Sequence, residues 1–291
     1  MSLSPRTAVS IPPADAGAQS PFDRMLGERR PLVMGILNIT PDSFSDGGRY
    51  DTPDIAIAHA RRMIEDGADI VDVGGESTRP YGGAARVSLV DELARLLPVL
   101  PAVIGLGVPV SIDTMKAEVA LRALTLGAAL VNDVWGLQRD PGMARVVADH
   151  GVPVIVMHNR DSADPAIDII ADVAAFFSRS LEIAERAGIR RDRIVLDPGI
   201  GFGKTAEQSI AVIARLDAFA SFGLPLLVGL SRKRFIAAAS PSRPDERLPG
   251  SIAANLLAVQ AGAAIVRVHD VAETVQAMRV AAAIRNARAH D

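Results

Sequence analysis

From Leu32 onward, short apolar runs rich in Val, Ile and Leu alternate with longer stretches in which apolar residues recur every three or four positions. The short runs are typical of buried strands and the longer stretches of amphipathic helices. The pattern predicts strands at residues 32–37, 70–73, 109–112, 130–132, 153–157, 193–196, 226–228 and 264–268. It predicts helices at residues 53–66, 88–104, 116–126, 141–149, 166–187, 207–222, 248–261 and 271–286.

Eight strand–helix units in succession are typical of a parallel sheet covered by helices, and they close most simply into a (β/α)8 TIM barrel. A doubly wound open sheet would normally carry a Gly-x-Gly-x-x-Gly turn after its first strand. Here the first strand leads into Asn38-Ile39-Thr40-Pro41 instead. We therefore predict a single α/β barrel domain over residues 31–291. Residues 1–30 are expected to form a partly disordered tail without the apolar segment of a secretory signal.

Composition narrows the range of functions. The 291 residues are 49% hydrophobic and 22% charged, which is enough apolar material for a full core, and the net charge of -3 gives no basic surface for nucleic acid. The absence of cysteine excludes disulfides and thiolate chemistry. No apolar run approaches the roughly 20 residues of a membrane helix. We expect a cytoplasmic protein with neither a nucleic-acid nor a membrane partner.

Polar residues follow the predicted strands, where barrel enzymes carry their active sites. Asp113, Asn132, Asp197 and Lys233 come from four different strand ends and should meet at one mouth. Two carboxylates, an amide and an ammonium group suit a flat heterocycle with alternating donors and acceptors. A guanine-like or pterin-like ring is therefore the expected ligand.

A second set of polar residues comes from the first, second and eighth units: Asn38, Thr78, Arg79, Arg267 and His269. Two arginines with a histidine and a hydroxyl group form an anion clamp suited to a phosphate or diphosphate. The amide oxygen of Asn38 is expected to bridge a hard metal ion to that anion.

Several residues have two open interpretations. Asp72 and Asp133 could cap a helix, pair with a neighbouring base or touch a ligand. His158 is either a ligand or a packed histidine at a strand end, and Glu76 is either a buried structural carboxylate or an organiser of the site. Trp135 and residues 240–247 receive no role.

The strand-end motifs together resemble the dihydropteroate synthase family over residues 31–291. The matching motifs are GILNITPDSFSDGG from Gly35, GGESTRP from Gly74, DPGIGFGK from Asp197, SRK from Ser231 and RVHD from Arg267. The resemblance implies that 6-hydroxymethyl-7,8-dihydropterin diphosphate reacts with p-aminobenzoate, with Mg2+ as the cofactor. It also implies a homodimer and an enzyme of the kind that sulfonamides target.

The resemblance further implies that diphosphate leaves before the amine attacks, and it assigns roles. Pterin would be held by Asp113, Asn132, Met157, Asp197, Lys233 and Arg267, and diphosphate by Asn38, Thr78, Arg79, Arg267 and His269. Pro80, Phe202, Ser231 and Lys233 would frame p-aminobenzoate. The catalytic set would be Asp42, Phe44, Asp46, Lys233 and Arg267. The first three would lie on a loop that closes over the pterin cation left when diphosphate departs, and this loop would exclude water.

Two rival functions stay open. A methyltetrahydrofolate-binding barrel of the corrinoid methyltransferase type would share the pterin-binding Asp and Asn residues. It has no need of a diphosphate clamp, so Arg79, Arg267 and His269 argue against it. A catalytically silent pterin-binding paralogue is disfavoured because the functional residues are all present: Asn38, Asp46, Lys233 and Arg267.

Overall fold

The computed structural model describes residues 21–28, 30–39, 52–76 and 87–288, and these form a closed barrel of eight parallel strands. The strands are β1 (Leu32–Asn38), β2 (Ile70–Gly74), β3 (Val110–Asp113), β4 (Leu130–Asp133), β5 (Val154–Met157), β6 (Ile194–Asp197), β7 (Leu226–Val228) and β8 (Ala263–Val268). They pair in sequence order, and β8 closes the barrel on β1. The predicted barrel is confirmed, and every strand end lies within one residue of its prediction.

The helices pack around the outside of the barrel. They are α1 (Pro21–Gly27), α2 (Thr52–Glu65), α3 (Leu89–Leu96), α4 (Leu100–Ile104), α5 (Ala117–Thr125), α6 (Met143–His150), α7 (Ile169–Ala187), α8 (Ala206–Ala214), α9 (Arg234–Ala239), α10 (Leu248–Gln260) and α11 (Val271–Arg288). No helix among these residues is long and apolar enough to cross a membrane.

Strand periodicity divides the buried residues into two layers, because successive side chains point to opposite faces. Along β2, Val71 and Val73 belong to the large apolar cluster between the strands and the helices. Ile70 belongs to a second cluster inside the barrel, and Asp72 follows it on the same inward-facing series. The amino-terminal half of the barrel interior is thus apolar, and polar side chains begin above it.

A short helix covers the amino-terminal end of the barrel. Phe22 of α1 is buried in the inner cluster beside Leu32 and Ile265, the first inward-facing residues of β1 and β8. This helix lies in the segment 1–30 and was not among the predicted helices. The ring of Phe22 closes the end of the barrel that lies away from the polar residues.

Two predicted helices differ from the observed ones. The helix predicted at 88–104 is interrupted between α3 and α4, because Pro98 lacks the N–H that would continue the helical hydrogen bonds. Pro101 then lies in the first turn of α4, where proline is tolerated. The helix predicted at 207–222 ends as α8, and residues Leu216–Phe222 form a 3-10 helix. Helix α9 was not predicted.

Candidate active site

A cavity with about 300 Å³ of empty space opens at the carboxyl ends of the strands. Seven residues predicted for the site line it together: Asp113, Asn132, Met157, Asp197, Phe202, Lys233 and Arg267. Val134, Gly199, Ile200 and Gly229 complete the lining. The structure therefore brings the predicted ring-binding set into one pocket.

Strand register explains why these side chains share one level of the barrel. Asp113 ends β3 beside Asn132 of β4, and Met157 ends β5 beside Asp197 of β6. Each lies on the inward-facing series of its strand, directly above the apolar layer. These strands each end in a polar residue or a methionine. Closure of the barrel places these strand-end residues side by side as a continuous pocket floor.

Arg267 lies inside the barrel mouth and bonds to two carboxylates. Its Nε donates to Asp72 Oδ2 at 2.6 Å and its Nη2 to Asp113 Oδ2 at 2.7 Å. Asn132 Nδ2 also donates to Asp72 Oδ2, at 3.0 Å. Burial disfavours the charge on Arg267, but the two carboxylates outweigh it and raise the pKa of the guanidinium. Asp72, left open by the sequence, pairs with this arginine.

Buried acceptor oxygens at the pocket floor remain unsatisfied. Asp113 Oδ1 and Asn132 Oδ1 have no hydrogen-bond partner among the described residues, and both residues are only 3% exposed. A buried acceptor without a donor costs roughly 1–3 kcal/mol. These atoms are therefore positioned for N–H donors that a ligand brings.

Burial also changes the protonation of the floor. It raises the pKa of Asp113 to about 7, although Arg267 acts in the opposite direction. Burial likewise raises the pKa of Asp197 to about 6, although Gly199 donates its N–H to Asp197 Oδ1 at 2.7 Å. Perturbed carboxyl groups in a cleft are typical of functional sites.

One wall of the cavity carries a lysine side chain whose ammonium group lies over an aromatic ring. Lys233 Nζ lies 4.1 Å from the centroid of the Phe202 ring, within cation–π range. Ser231 and His269 meet nearby, with His269 Nδ1 3.1 Å from Ser231 Oγ. Neither of these two lines the cavity itself, so they lie beside the ring pocket rather than in it.

The turn that carries Ser231 and Lys233 has a strained residue at its centre. Arg232 has a φ of 58°, a left-handed conformation that is uncommon for a residue with a side chain. Ser251 Oγ accepts its N–H at 2.9 Å, and Asp270 binds its guanidinium through both carboxylate oxygens. Arg247 Nη1 donates to its carbonyl oxygen at 3.0 Å. The segment 240–247, given no role from sequence, thus supports this turn.

Glu76 holds the base of the loop after β2. Lys116 Nζ lies 2.6 Å from Glu76 Oε2 and 2.5 Å from Glu92 Oε2, and Thr114 Oγ1 donates to Glu92 at 2.7 Å. The other oxygen of Glu76 accepts the N–H of Val87 at 3.2 Å. Of the two interpretations, a buried structural carboxylate fits these contacts.

His158 and Asp133 are also resolved by their contacts. His158 is fully buried, and its Nε2 lies 2.9 Å from Asp172 Oδ2, so it is a packed histidine at the strand end. Asp133 accepts the N–H groups of Trp135 and Leu137 at 2.9 and 2.7 Å and holds the turn after β4.

The remaining predicted residues lie at or beyond the edge of the described structure. Asn38 ends β1, beside Gly74 of β2, and is half-buried. Six predicted residues lie outside the described residues: Asp42, Phe44, Asp46, Thr78, Arg79 and Pro80. Within the described ranges, no group of three or more His, Asp or Glu side chains could hold a metal ion.

Comparison with known proteins shows how far this architecture is shared. A family model described as "Pterin binding enzyme" matches residues 34–269. A dihydropteroate synthase of Bacillus subtilis is 47% identical over 260 residues, which cover 89% of this chain and 90% of that protein. The chain belongs to the dihydropteroate synthase family. Members of this family are transferases of folate biosynthesis, so the predicted family and enzyme class are confirmed.

Two solved structures of the family agree with the fold. A dihydropteroate synthase from Clostridium difficile, determined in the presence of pteroic acid, is 48% identical with a TM-score of 0.84. The match covers 88% of this chain and 97% of that one. The enzyme from Xanthomonas albilineans with 4-aminobenzoic acid is 46% identical with a TM-score of 0.85, covering 88% and 94%.

Proposed function

We propose that this chain condenses 6-hydroxymethyl-7,8-dihydropterin diphosphate with p-aminobenzoate to give 7,8-dihydropteroate and diphosphate. The observation that carries the proposal is the row of buried acceptors at the cavity floor, formed by Asp113, Asn132 and Asp197. A pterin presents an amino group and ring N–H groups along one edge, and these donors complement carboxylate and amide oxygens.

Binding of the pterin ring would give N–H donors to carboxyl groups that are buried at the floor of the free site. The free site holds Asp113 and Asp197 at raised pKa values, because water is excluded from their oxygens. N–H donors of the pterin would stabilise the ionised forms and lower both pKa values. Met157 lines the same cavity and supplies an apolar contact to the ring.

The bond between the pterin methylene carbon and the diphosphate oxygen breaks first, and the leaving group takes the electron pair. The amine of p-aminobenzoate then forms the C–N bond and loses a proton. Negative charge grows on the departing diphosphate, so fixed cations near it lower the barrier. Arg267 and His269 are the described residues proposed for that role, together with Thr78 and Arg79. The loop residues Asp42, Phe44 and Asp46 are proposed to close over the pterin cation and to exclude water.

The residues present fit Mg2+ as the cofactor. Magnesium keeps several waters and is bound by one or two protein oxygens together with substrate phosphates, which matches the single amide oxygen of Asn38 at the end of β1. When bound, the ion would neutralise charge on the leaving diphosphate. Asn38 would hold it at the barrel mouth, where β1 ends beside Gly74 of β2.

The amine is proposed to bind against Phe202 and Lys233, with Ser231 beside its carboxylate and Pro80 at its ring. Phe202 offers a ring face and Lys233 an adjacent cation, and the two are already in contact. Sulfonamides, which resemble p-aminobenzoate in shape and charge, would compete for the same place.

The experiment that tests the proposal measures diphosphate release and dihydropteroate formation by the purified protein with Mg2+. We expect release to require p-aminobenzoate and to match product formation mole for mole. Equal release without the amine would indicate a hydrolase, and pterin binding without release would indicate a silent pterin-binding protein. Methyl transfer from methyltetrahydrofolate would indicate the corrinoid-dependent alternative.

A homodimer is proposed through the faces of α10 and α11. These helices pack on each other, and Leu257, Val280 and Ile284 expose between 55% and 61% of their surface. A contiguous exposed apolar face is typical of a subunit interface. Light scattering should give twice the chain mass, and Leu257→Glu with Ile284→Glu should give monomers. The cytoplasmic location stays a prediction.

A further inference from the structure

A buried lysine lies directly behind the cavity wall and has no part in the proposed chemistry. Lys204 ends the turn after β6 and is 1% exposed. Its Nζ donates to the carbonyl oxygens of Gly199 at 2.8 Å and Phe202 at 3.1 Å. It also lies 2.6 Å from His158 Nδ1. One ammonium group thus ties both ends of the turn to His158, the residue that follows β5.

The histidine that receives this contact is itself fixed. His158 Nε2 faces Asp172 Oδ2 of α7 at 2.9 Å, so Nε2 carries the proton and Nδ1 accepts from Lys204. Burial, together with the charge of Lys204, lowers the pKa of His158 to about 3, which keeps the ring neutral. Arg160 donates to the other oxygen of Asp172 at 2.9 Å. Lys204 is therefore held by a chain of contacts that reaches a helix.

The turn approaches its neighbours too closely to carry other side chains. Gly199 has a φ of +64°, and a Cβ there would lie 1.9 Å from the carbonyl oxygen of His158. Gly203 has a φ of +54°, and its Cβ would lie 2.4 Å from Arg160 Cβ. Both positions require glycine, because a side chain would push the turn away from β5.

The same turn forms the wall of the cavity. Gly199 and Phe202 line it, and the Gly199 N–H holds Asp197 Oδ1. The Phe202 ring lies under Lys233 Nζ, and a Cβ on Gly201 would lie 3.3 Å from the Lys233 side chain. Asp113 and Asn132, by contrast, lie on strands and depend on barrel pairing rather than on this turn.

We propose that Lys204 is a positioning residue for the amine substrate: by tying the Gly199 and Phe202 carbonyls to His158, it fixes the turn that places Phe202 against Lys233. The inference rests on the proposed function, since it concerns the p-aminobenzoate side of that site. Asp113 and Asn132 of the pterin floor keep their places without this lysine, and Asp197 is placed by β6 as well as by the Gly199 N–H, so loss of the lysine should affect the amine more than the pterin.

The test is steady-state kinetics on Lys204→Met, which keeps the length of the side chain but removes its N–H donors. We expect the KM for p-aminobenzoate to rise about tenfold, the equivalent of one lost hydrogen-bonded contact, with the KM for the pterin diphosphate changed by no more than about twofold. Val147→Ala is the control, because Val147 is fully buried in the outer core and absent from the cavity. It should lower stability without separating the two KM values.

A second readout does not depend on activity. Hydrogen exchange of the peptide over residues 197–206 should be faster in Lys204→Met than in wild type or Val147→Ala, since the Phe202 N–H bonds to the Gly199 carbonyl within the turn. If Lys204→Met does not fold, Gly203→Ala displaces the same turn from Arg160 and should give the same separation of KM values. Equal changes in both KM values, or unchanged exchange, would overturn the proposal. Wild-type protein that makes no dihydropteroate while the exchange difference persists would overturn the proposed function instead.

Discussion

Two groups of buried charged side chains lie at the mouth of the barrel. Burial raises the pKa of an aspartate in one group and lowers the pKa of a lysine in the other. Inside the barrel, Arg267 bonds to Asp72 and Asp113, and burial raises the pKa of Asp113 to about 7. Behind the turn after β6, Lys204 bonds to two carbonyls and to His158, and burial lowers the pKa of Lys204 to about 7. Both groups oppose desolvation with hydrogen bonds.

The groups differ in what they leave unsatisfied. In the inner group, oxygens of Asp113 and Asn132 lack a partner among the described residues, and both residues line the cavity. In the outer group, the Lys204 ammonium group has three acceptors and both oxygens of Asp172 accept bonds, so the acceptors are satisfied, and among the described residues only the donor Arg160 Nε lacks a partner. An unsatisfied acceptor is costly unless a ligand supplies its donor. The comparison therefore separates groups that bind substrate from groups that hold the wall in place.

The largest effect is expected from Arg267→Lys. Lysine keeps the charge but loses the planar fork that reaches Asp72 and Asp113 at once. We expect kcat/KM to fall by about 100-fold or more, because charge stabilisation at the leaving group is lost as well. Arg145→Lys is the control, since Arg145 lies exposed on α6. Kinetics equal to wild type for Arg267→Lys would remove this arginine from the site.

Asp197→Ala removes one acceptor from the pocket floor. Pterin donors would then be buried without a partner, which costs about 1–3 kcal/mol and weakens binding by about 10- to 100-fold. Calorimetry with a pterin ligand measures this change directly. The matched control is Asp149→Ala, at an exposed carboxylate on α6. Unchanged affinity in a folded Asp197→Ala protein would show that the ring binds elsewhere.

Asp197→Asn should stabilise the free protein at high pH. The folded-state pKa of about 6 lies above 3.8, the ordinary pKa of an aspartate side chain. The contribution of this group to stability is therefore fully present below pH 3.8 and is lost as pH rises through 6. Removing the ionised carboxylate should raise the free energy of unfolding at high pH by about 1–3 kcal/mol.

Denaturant unfolding near pH 8 and near pH 4 measures this change, and the gain over wild type should shrink at the lower pH as both proteins become neutral at this position. A gain that is the same at both values would show that the carboxylate is not strained by burial. The same substitution should weaken pterin binding, because a charged acceptor is lost.

The smallest effect on ligand binding is expected from Asp172→Asn in the outer group. His158 and Arg160 lose a charged acceptor, so the free energy of unfolding should fall by about 1 kcal/mol. Pterin affinity should stay within about twofold of wild type, since this group does not line the floor. Denaturation and calorimetry on one preparation check both statements. A loss of affinity as large as in Asp197→Ala would mean that the two groups act as one site.

Much of the site was predictable because several barrel strands end in a polar residue that directly follows an apolar run. Asp113, Asn132 and Asp197 follow apolar runs directly, and parallel strands bring their carboxyl ends together. Asp72 was harder to assign, since an aspartate within a strand has several possible partners. Lys204 was missed as a contributor, because nothing in its neighbours along the chain indicates a histidine 46 residues earlier.

The sequence by itself determined the barrel, the division between inner and outer strand faces, and the polar strand ends, because each follows from a local period of apolar residues. The tertiary structure decided which charges meet. Arg267 and Asp72 are 195 positions apart and come together only when β8 closes on β1. Their ion pair depends on that closure. Which strand-end oxygens lack a hydrogen-bond donor depends on it too, because that is decided only when the neighbouring side chains are in place.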